Sequence, residues 1–384
     1  MPSLRRFIEI RALIGLIGCL LVACAVMGCE RGGPGKGDGR YGKGGDTGPD
    51  AETTAPGTAQ QRDGLDVNVV PTPGHAYMPA GFGEGSLWAT DLPPKPLLKR
   101  LDPRTGAEEE VIPLKGFFSN ITEVAVGAGS VWVSSGDYYP GPVGKRLPGD
   151  VVFRIDPETN RVVDRIPVDS PCGLAFGHGL VWATSAEHGT VSRIDPETGE
   201  VAAEIEVGRG AVDIAADERS GAVWVAGLYL PKDYGGYDSP EASEDNKLSR
   251  VDPETNRVVA EIPIGAGSPD GGAQSVAVGE GAVWAQSSDG RLFKVDPATN
   301  EVVAVVPLGD YSSHLLVSGG AVWATVQVST ATRLVRVAPR TGHVVASEDL
   351  GPTERVGFGR LVAGGGYVWF ASGTGEVTLA RVAP

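Results

Sequence analysis

Cysteine is scarce: the 384-residue chain has four, and three of them, Cys19, Cys24 and Cys29, fall within the first 29 residues. Beyond them stands only Cys172, so no internal disulfide is expected to staple the remainder, and a domain of this size does not need one. No stretch outside residues 1–28 is apolar enough to span a bilayer. Basic residues are outnumbered 33 to 48, which excludes the concentrated positive surface that nucleic-acid binding requires. Phosphate-loop chemistry is also excluded. The run Gly35-Lys36-Gly37-Asp38-Gly39 has no strand before it and no helix after it.

The apolar run that does exist is at the N-terminus. Arg5, Arg6 and Arg11 precede and flank Ala12 to Gly28, the pattern of an export signal. Each of the three early cysteines follows a small residue, which resembles a bacterial lipobox. Cys29 stands where the apolar run ends and is the expected lipidation site, with Cys24, after Leu21-Val22-Ala23, as the alternative. An uncleaved anchor of about 17 residues is the other reading. Either way the rest of the chain is expected outside the cytoplasm, tied to the cell membrane. Removing residues 1–28 takes away three Arg and Glu9, leaving 30 basic and 47 acidic residues and a net charge of −17. Residues 29–64, rich in Gly, Pro, Asp and Thr, bury too little apolar surface to offset ordering entropy and read as a flexible tether.

From residue 79 onward the chain repeats itself, and residues 65–384 are expected to form one domain. The clearest copy runs Ser275-Val276-Ala277-Val278, Gly279-Glu280-Gly281, Ala282-Val283-Trp284-Ala285, then Arg291 to Val295, Asp296-Pro297-Ala298-Thr299-Asn300 and Val302 to Leu308. That is four short strands and three tight turns. All seven Trp occupy one place in this unit: Trp88, Trp132, Trp182, Trp224, Trp284, Trp323 and Trp369. Four-stranded units of about 40 to 45 residues are the signature of propeller blades, with the ring of a second-strand Trp filling the space between neighbours. The Asp-Pro-x-Thr-Gly/Asn segments at 102–106, 156–160, 195–199, 252–256 and 296–300 have the chemistry of turns. The Gly-x-Gly pairs are hairpin turns. The seventh copy stops after its third strand, and Asp66-Val67-Asn68-Val69-Val70-Pro71 matches the missing fourth. The expectation is an all-β, seven-bladed β-propeller whose ring is closed by the N-terminal strand, about 66–72.

These motifs, Val-Trp-Ala/Val, Arg-Ile-Asp-Pro-Glu-Thr-Gly/Asn and Val-Val-x-x-Ile-Pro, resemble the YVTN-type bacterial propeller repeats and those of streptogramin (virginiamycin B) lyases. The resemblance covers residues 66–384 and implies the fold. The lyases use a metal held by His and Glu residues, including a Glu-x-His pair. This chain has no Glu-x-His; Glu187 and His188 are adjacent.

In such a fold the second-to-third-strand loops open on one face. Two of them are long, about 134–150 with Tyr138 and Tyr139, and about 227–246 with Tyr234 and Tyr237. Long loops on a rigid scaffold are where binding commonly sits, and Tyr gives contact area at low entropic cost. Aligned on the Trp, one position at the start of each innermost strand reads Pro79, Glu123, Gly173, Asp213, Ser275, His314 and Arg360. These should ring the channel mouth on the same face. Glu123, Asp213, Ser275, His314 and Arg360 are the ligand-binding candidates; Glu123, Asp213 and His314 carry the donor types of a divalent-cation site or an acid–base pair. No other cofactor is expected. The function expected is that of a lipid-anchored binding or scaffold module for a protein, peptide or glycan, with a monomeric state. The alternative is a metal-dependent lyase or hydrolase at the channel mouth.

Overall fold

The computed structural model describes residues 65–70, 77–91, 97–114, 121–136, 150–228, 246–265, 271–356, 359–372 and 379–383. They form seven four-stranded antiparallel sheets, each meandering from an innermost to an outermost strand. Blades 1 to 6 are residues 77–113, 121–167, 171–206, 211–263, 273–307 and 311–352. Blade 7 takes three strands from residues 360–382, and its fourth is Val67–Val69, paired with Leu379–Val382 through Val67↔Val382, Asn68↔Arg381 and Val69↔Ala380. The N-terminal strand therefore closes the ring, and the fold is a seven-bladed β-propeller.

Turn chemistry sets each blade. The first hairpins of blades 1, 2, 3 and 5 place a non-glycine residue and then a glycine at positive φ, as in Glu84 (50°) and Gly85 (72°), or His178 (54°) and Gly179 (72°). Two consecutive positive φ values are the signature of the hairpin turn whose twist matches that of the strands. Between third and fourth strands the Asp of the Asp-Pro motif folds back: Asp102 Oδ1 accepts the N–H groups of Arg104 (2.9 Å) and Thr105 (2.7 Å). These donors hold the carboxyls of Asp102, Asp156 and Asp252 below their ordinary range. They are turn residues.

All seven Trp are fully buried. Each reaches toward the following blade: Trp182 packs with Ile214, Val223 and Val251, and Trp284 with Leu315, Val322 and Val335. Six indole N–H groups donate to the carbonyl five residues upstream, at the end of the first strand, as Trp182 does to Gly177 (3.0 Å) and Trp132 to Gly127 (3.0 Å). Trp224 is the exception. Its blade has the longer hairpin Asp217 to Ala222, and its Nε1 is buried without a partner among the described residues.

A second inter-blade device lies in the Arg-Ile-Asp-Pro motif. The third-strand cation stacks on the Trp of its own blade, as Arg100 on Trp88 (5.5 Å) and Arg250 on Trp224 (5.4 Å). It then reaches the Asp-Pro turn of the next: Arg100 Nη1 donates to Pro157 O (2.9 Å), and Arg250 Nη1 to Pro297 O (2.8 Å) and Asn300 Oδ1 (2.9 Å). Six outermost strands carry a one-residue bulge, at Glu109, Val163, Ala202, Val259, Val303 and Val345. A bulge twists an exposed strand edge out of register with an incoming strand.

Candidate functional site

Six of the seven innermost strands break register with the second strand just at the ring position; in blade 4 the shift falls between Ala211 and Asp213, in blade 2 between Ile121 and Glu123. The innermost strand has no neighbour on its channel side, so its backbone N–H groups there need partners. The ring side chains supply them across the blade seams. Asp213 Oδ2 accepts the Ser275 hydroxyl (2.8 Å) and the Val276 N–H (3.0 Å). Ser275 Oγ accepts the Leu315 N–H (3.2 Å), and His314 Nδ1 accepts the Leu361 N–H (3.2 Å). Thus blades 4, 5 and 6 each cap the blade that follows.

Where the preceding ring position has no polar side chain, the acceptor comes from within. Pro79 precedes Glu123 and Gly173 precedes Asp213. Glu123 Oε1 accepts its own following N–H, of Val124 (3.2 Å), and Asp213 Oδ1 that of Ile214 (3.0 Å). Gly173 has no room for a side chain: a Cβ there would stand 3.0 Å from Asp213 Cα and 3.1 Å from Val212 O. Arg360 of blade 7 reaches past blade 1, pairing through Nη1 with Glu123 Oε2 and donating through Nη2 to Thr122 O (3.4 Å). Behind the ring, Ser134 Oγ donates to Cys172 O (2.9 Å) of the next blade. Cys172 itself is a buried free thiol.

Glu123, Asp213 and Ser275 are buried, while His314 and Arg360 are half-buried. Burial raises the Glu123 carboxyl to about 7 against the opposing pull of Arg360, and the charge of Asp213 adds to the rise. Burial likewise raises Asp213, with Arg360 and the N–H of Val276 opposing. His314 is held well below its ordinary value by burial and then by Arg360. It is neutral at pH 7, and because Nδ1 accepts the Leu361 N–H, its proton is on Nε2.

The structure therefore brings Glu123, Asp213, Ser275, His314 and Arg360 onto one channel mouth, as the alignment of repeats places them, and ties them together. Among the described residues no group of three His, Cys, Asp or Glu side chains is arranged to hold a metal ion. Tyr138, Tyr139, Tyr234, Tyr237, Cys24 and Cys29 lie outside the described residues. The strands from which the two long loops depart, Ser130–Ser135 and Ala222–Gly227, end on the ring's face, since Ser135 pairs with Ile121 and Gly227 with Ala211.

No family model matches the chain, and no curated protein matches it. Among solved structures, one described as a streptogramin B lyase superposes with a TM-score of 0.59 at 13% identity, covering 83% of this chain and 96% of that one. At that identity the likeness is one of fold.

Proposed function

We propose that this chain is an extracytoplasmic, lipid-anchored propeller that serves as a binding or scaffold module for a protein, peptide or glycan, captured on the face that carries the ring and both long loops. The observation that supports it is the use of the ring: Asp213, Ser275 and His314 direct acceptors to neighbouring backbone N–H groups. Groups so engaged stiffen a platform, and rigid platforms are what recognition loops are built on. The test is capture of a partner from envelope extract by the full-length chain, compared with a variant lacking 137–149 and 229–245. Loss of the partner with an unchanged melting temperature is expected. Equal capture by the deletion variant would overturn the reading. Membrane anchoring is checked separately, by the lipid mass on the N-terminal peptide and its loss in Cys29→Ser, with Cys24→Ser as the comparison.

A second reading, a metal-dependent lyase or hydrolase, rests on Glu123, whose carboxyl is raised to about 7 beside Arg360 and Asp213. Such a value suits a group that both takes and gives protons near neutrality. Thermal shift with Mg, Ca, Mn and Zn decides it: a rise that disappears in His314→Gln would favour this reading.

A further inference from the structure

The seven blades serve as controls for one another, and among the described residues two of them leave a third-strand guanidinium Nε–H buried without a partner: Arg381 in blade 7, which stacks on Tyr367 (4.4 Å), and Arg193 in blade 3. In blade 1, the third-strand Arg100 has three kinds of partner: Nη1 reaches the next blade, Nε donates to Ser86 Oγ (2.8 Å), and the same Nε stands 3.4 Å from the carboxylate of Glu109, the bulge residue. Blade 2 keeps the hydroxyl, with Arg154 Nε donating to Ser130 Oγ (3.0 Å). In blade 3, register places Arg193 at this position, Leu180 where Ser86 and Ser130 stand, and Ala202 where Glu109 stands. Both oxygen partners are gone. Arg193 Nη1 donates to Asn256 Oδ1 (3.2 Å), and its Nε–H is buried without a partner among the described residues.

This guanidinium lines a groove of about 650 Å³ between blades 3 and 4, on the face opposite the ring. Among the other polar side chains that line it, Glu254 is exposed, and three are already engaged. Asp252 accepts from Glu254 N (2.8 Å) and Thr255 Oγ1 (2.8 Å); Arg250 is held by Pro297 and Asn300; His178 stands between Glu218 (3.3 Å) and Ala222 O (3.3 Å). Leu180 and Val259, the latter 55% exposed, form the apolar wall. The volume is that of a small-molecule site.

The geometry points to this groove as a binding site for a small aliphatic carboxylate, whose oxygens take the Nε and Nη2 edge of Arg193, the place Glu109 and Ser86 fill beside Arg100, and whose chain lies on Leu180 and Val259. A carboxylate matches that planar edge with two parallel hydrogen bonds, which a neutral amide of the same size cannot do. Because Nε–H is covered when the groove is empty, binding includes a small shift of the side chains around it.

The experiment is isothermal titration of the full-length chain with straight-chain carboxylates from acetate to octanoate, their primary amides, and sulfate. Saturable binding is expected for the carboxylates, tightening with chain length, and none for the amides. Ala202→Glu, which supplies the internal carboxylate that Arg100 already has, should weaken octanoate binding about tenfold or more while leaving the melting temperature equal or higher. Leu180→Ser, which restores the hydroxyl of blades 1 and 2, should weaken it in the same direction and serves if Ala202→Glu does not fold. Absence of saturable octanoate binding overturns the assignment. So do equal affinity for amide or sulfate, or unchanged affinity in both variants. Removal of 137–149 and 229–245 leaves this titration unaltered, so its outcome is independent of the face that carries the long loops.

Discussion

The Trp layer and the channel ring lie a few residues apart in every blade, yet they differ in kind. The Trp layer is the same residue seven times, fully buried each time, with the same indole hydrogen bond in six copies. The ring has a different residue in each blade and is held together by bonds that run between blades, three of them from one blade to the next and one, Arg360 to Glu123, past blade 1. A repeated packing residue solves the same local problem seven times and can be lost in one blade at a local cost. The ring solves one problem once, with each member depending on what stands in the preceding blade. Glu123 and Asp213 fold back onto their own strands because Pro79 and Gly173 offer nothing.

The contrast is sharpest in stability. Trp182→Ala removes a fully buried ring from the seam between blades 3 and 4, and the expected loss is about 3–5 kcal/mol. Urea unfolding would show it as a lower midpoint. A loss below about 1 kcal/mol would mean that the seam collapses onto the cavity, and that the Trp layer is less demanding than its uniformity suggests.

The ring should show itself in the pH dependence instead. Glu123 is raised from 4.5 to about 7, so the native state holds its proton more tightly than the unfolded chain. Its contribution is therefore fully present below about pH 4.5 and is lost as pH rises through about 7. The size is on the order of 3 kcal/mol at most. His314 has the opposite sign: its value is depressed below 6.5, so its contribution is present above that value and is lost as pH falls. Glu123→Gln should reduce the loss on the alkaline side, leaving the part that belongs to Asp213, whose carboxyl is also raised, and leave the acid-side loss that His314→Gln removes. Urea midpoints at pH 5 and pH 8 for the two variants separate them; parallel pH profiles for wild type and Glu123→Gln would show that the ring carboxyl does not titrate in this window.

Much of this was legible in the sequence, for reasons that differ by layer. The seven Trp, the Asp-Pro turns and the stray strand at Val67–Val69 are local patterns repeated at blade spacing, so the copies explain one another. The ring positions followed from alignment on the Trp. Their bonding did not, because Asp213 meets Val276 and His314 meets Leu361 across whole blades, and nothing near Asp213 in sequence names its partner. The third-strand Arg was visible as part of a motif but not as a clasp. A signal for it was present in the turn that follows: Asn160, Asn256 and Asn300 end their turns where Arg100, Arg193 and Arg250 of the preceding blades arrive. The two long loops carry the Tyr residues on which capture is proposed, and repeats say nothing about insertions that occur once.

The smallest effect tests whether seven identical residues are energetically identical. Trp→Phe keeps a buried aromatic ring but removes the indole N–H, so the change combines a packing term common to all blades with a hydrogen-bond term that depends on the blade. In blade 3 that bond exists, from Trp182 Nε1 to Gly177 O at 3.0 Å. In blade 4 the hairpin is longer, and Trp224 Nε1 is buried with no acceptor among the described residues. Removing an unsatisfied buried donor relieves a desolvation cost, whereas removing a satisfied one leaves the Gly177 carbonyl unpaired. Trp182→Phe should therefore cost about 1 kcal/mol more than Trp224→Phe, taking each as the shift in urea midpoint at constant m. Equal costs would mean that Trp224 finds a solvent acceptor in its hairpin, and the exceptional blade would then be exceptional in sequence only.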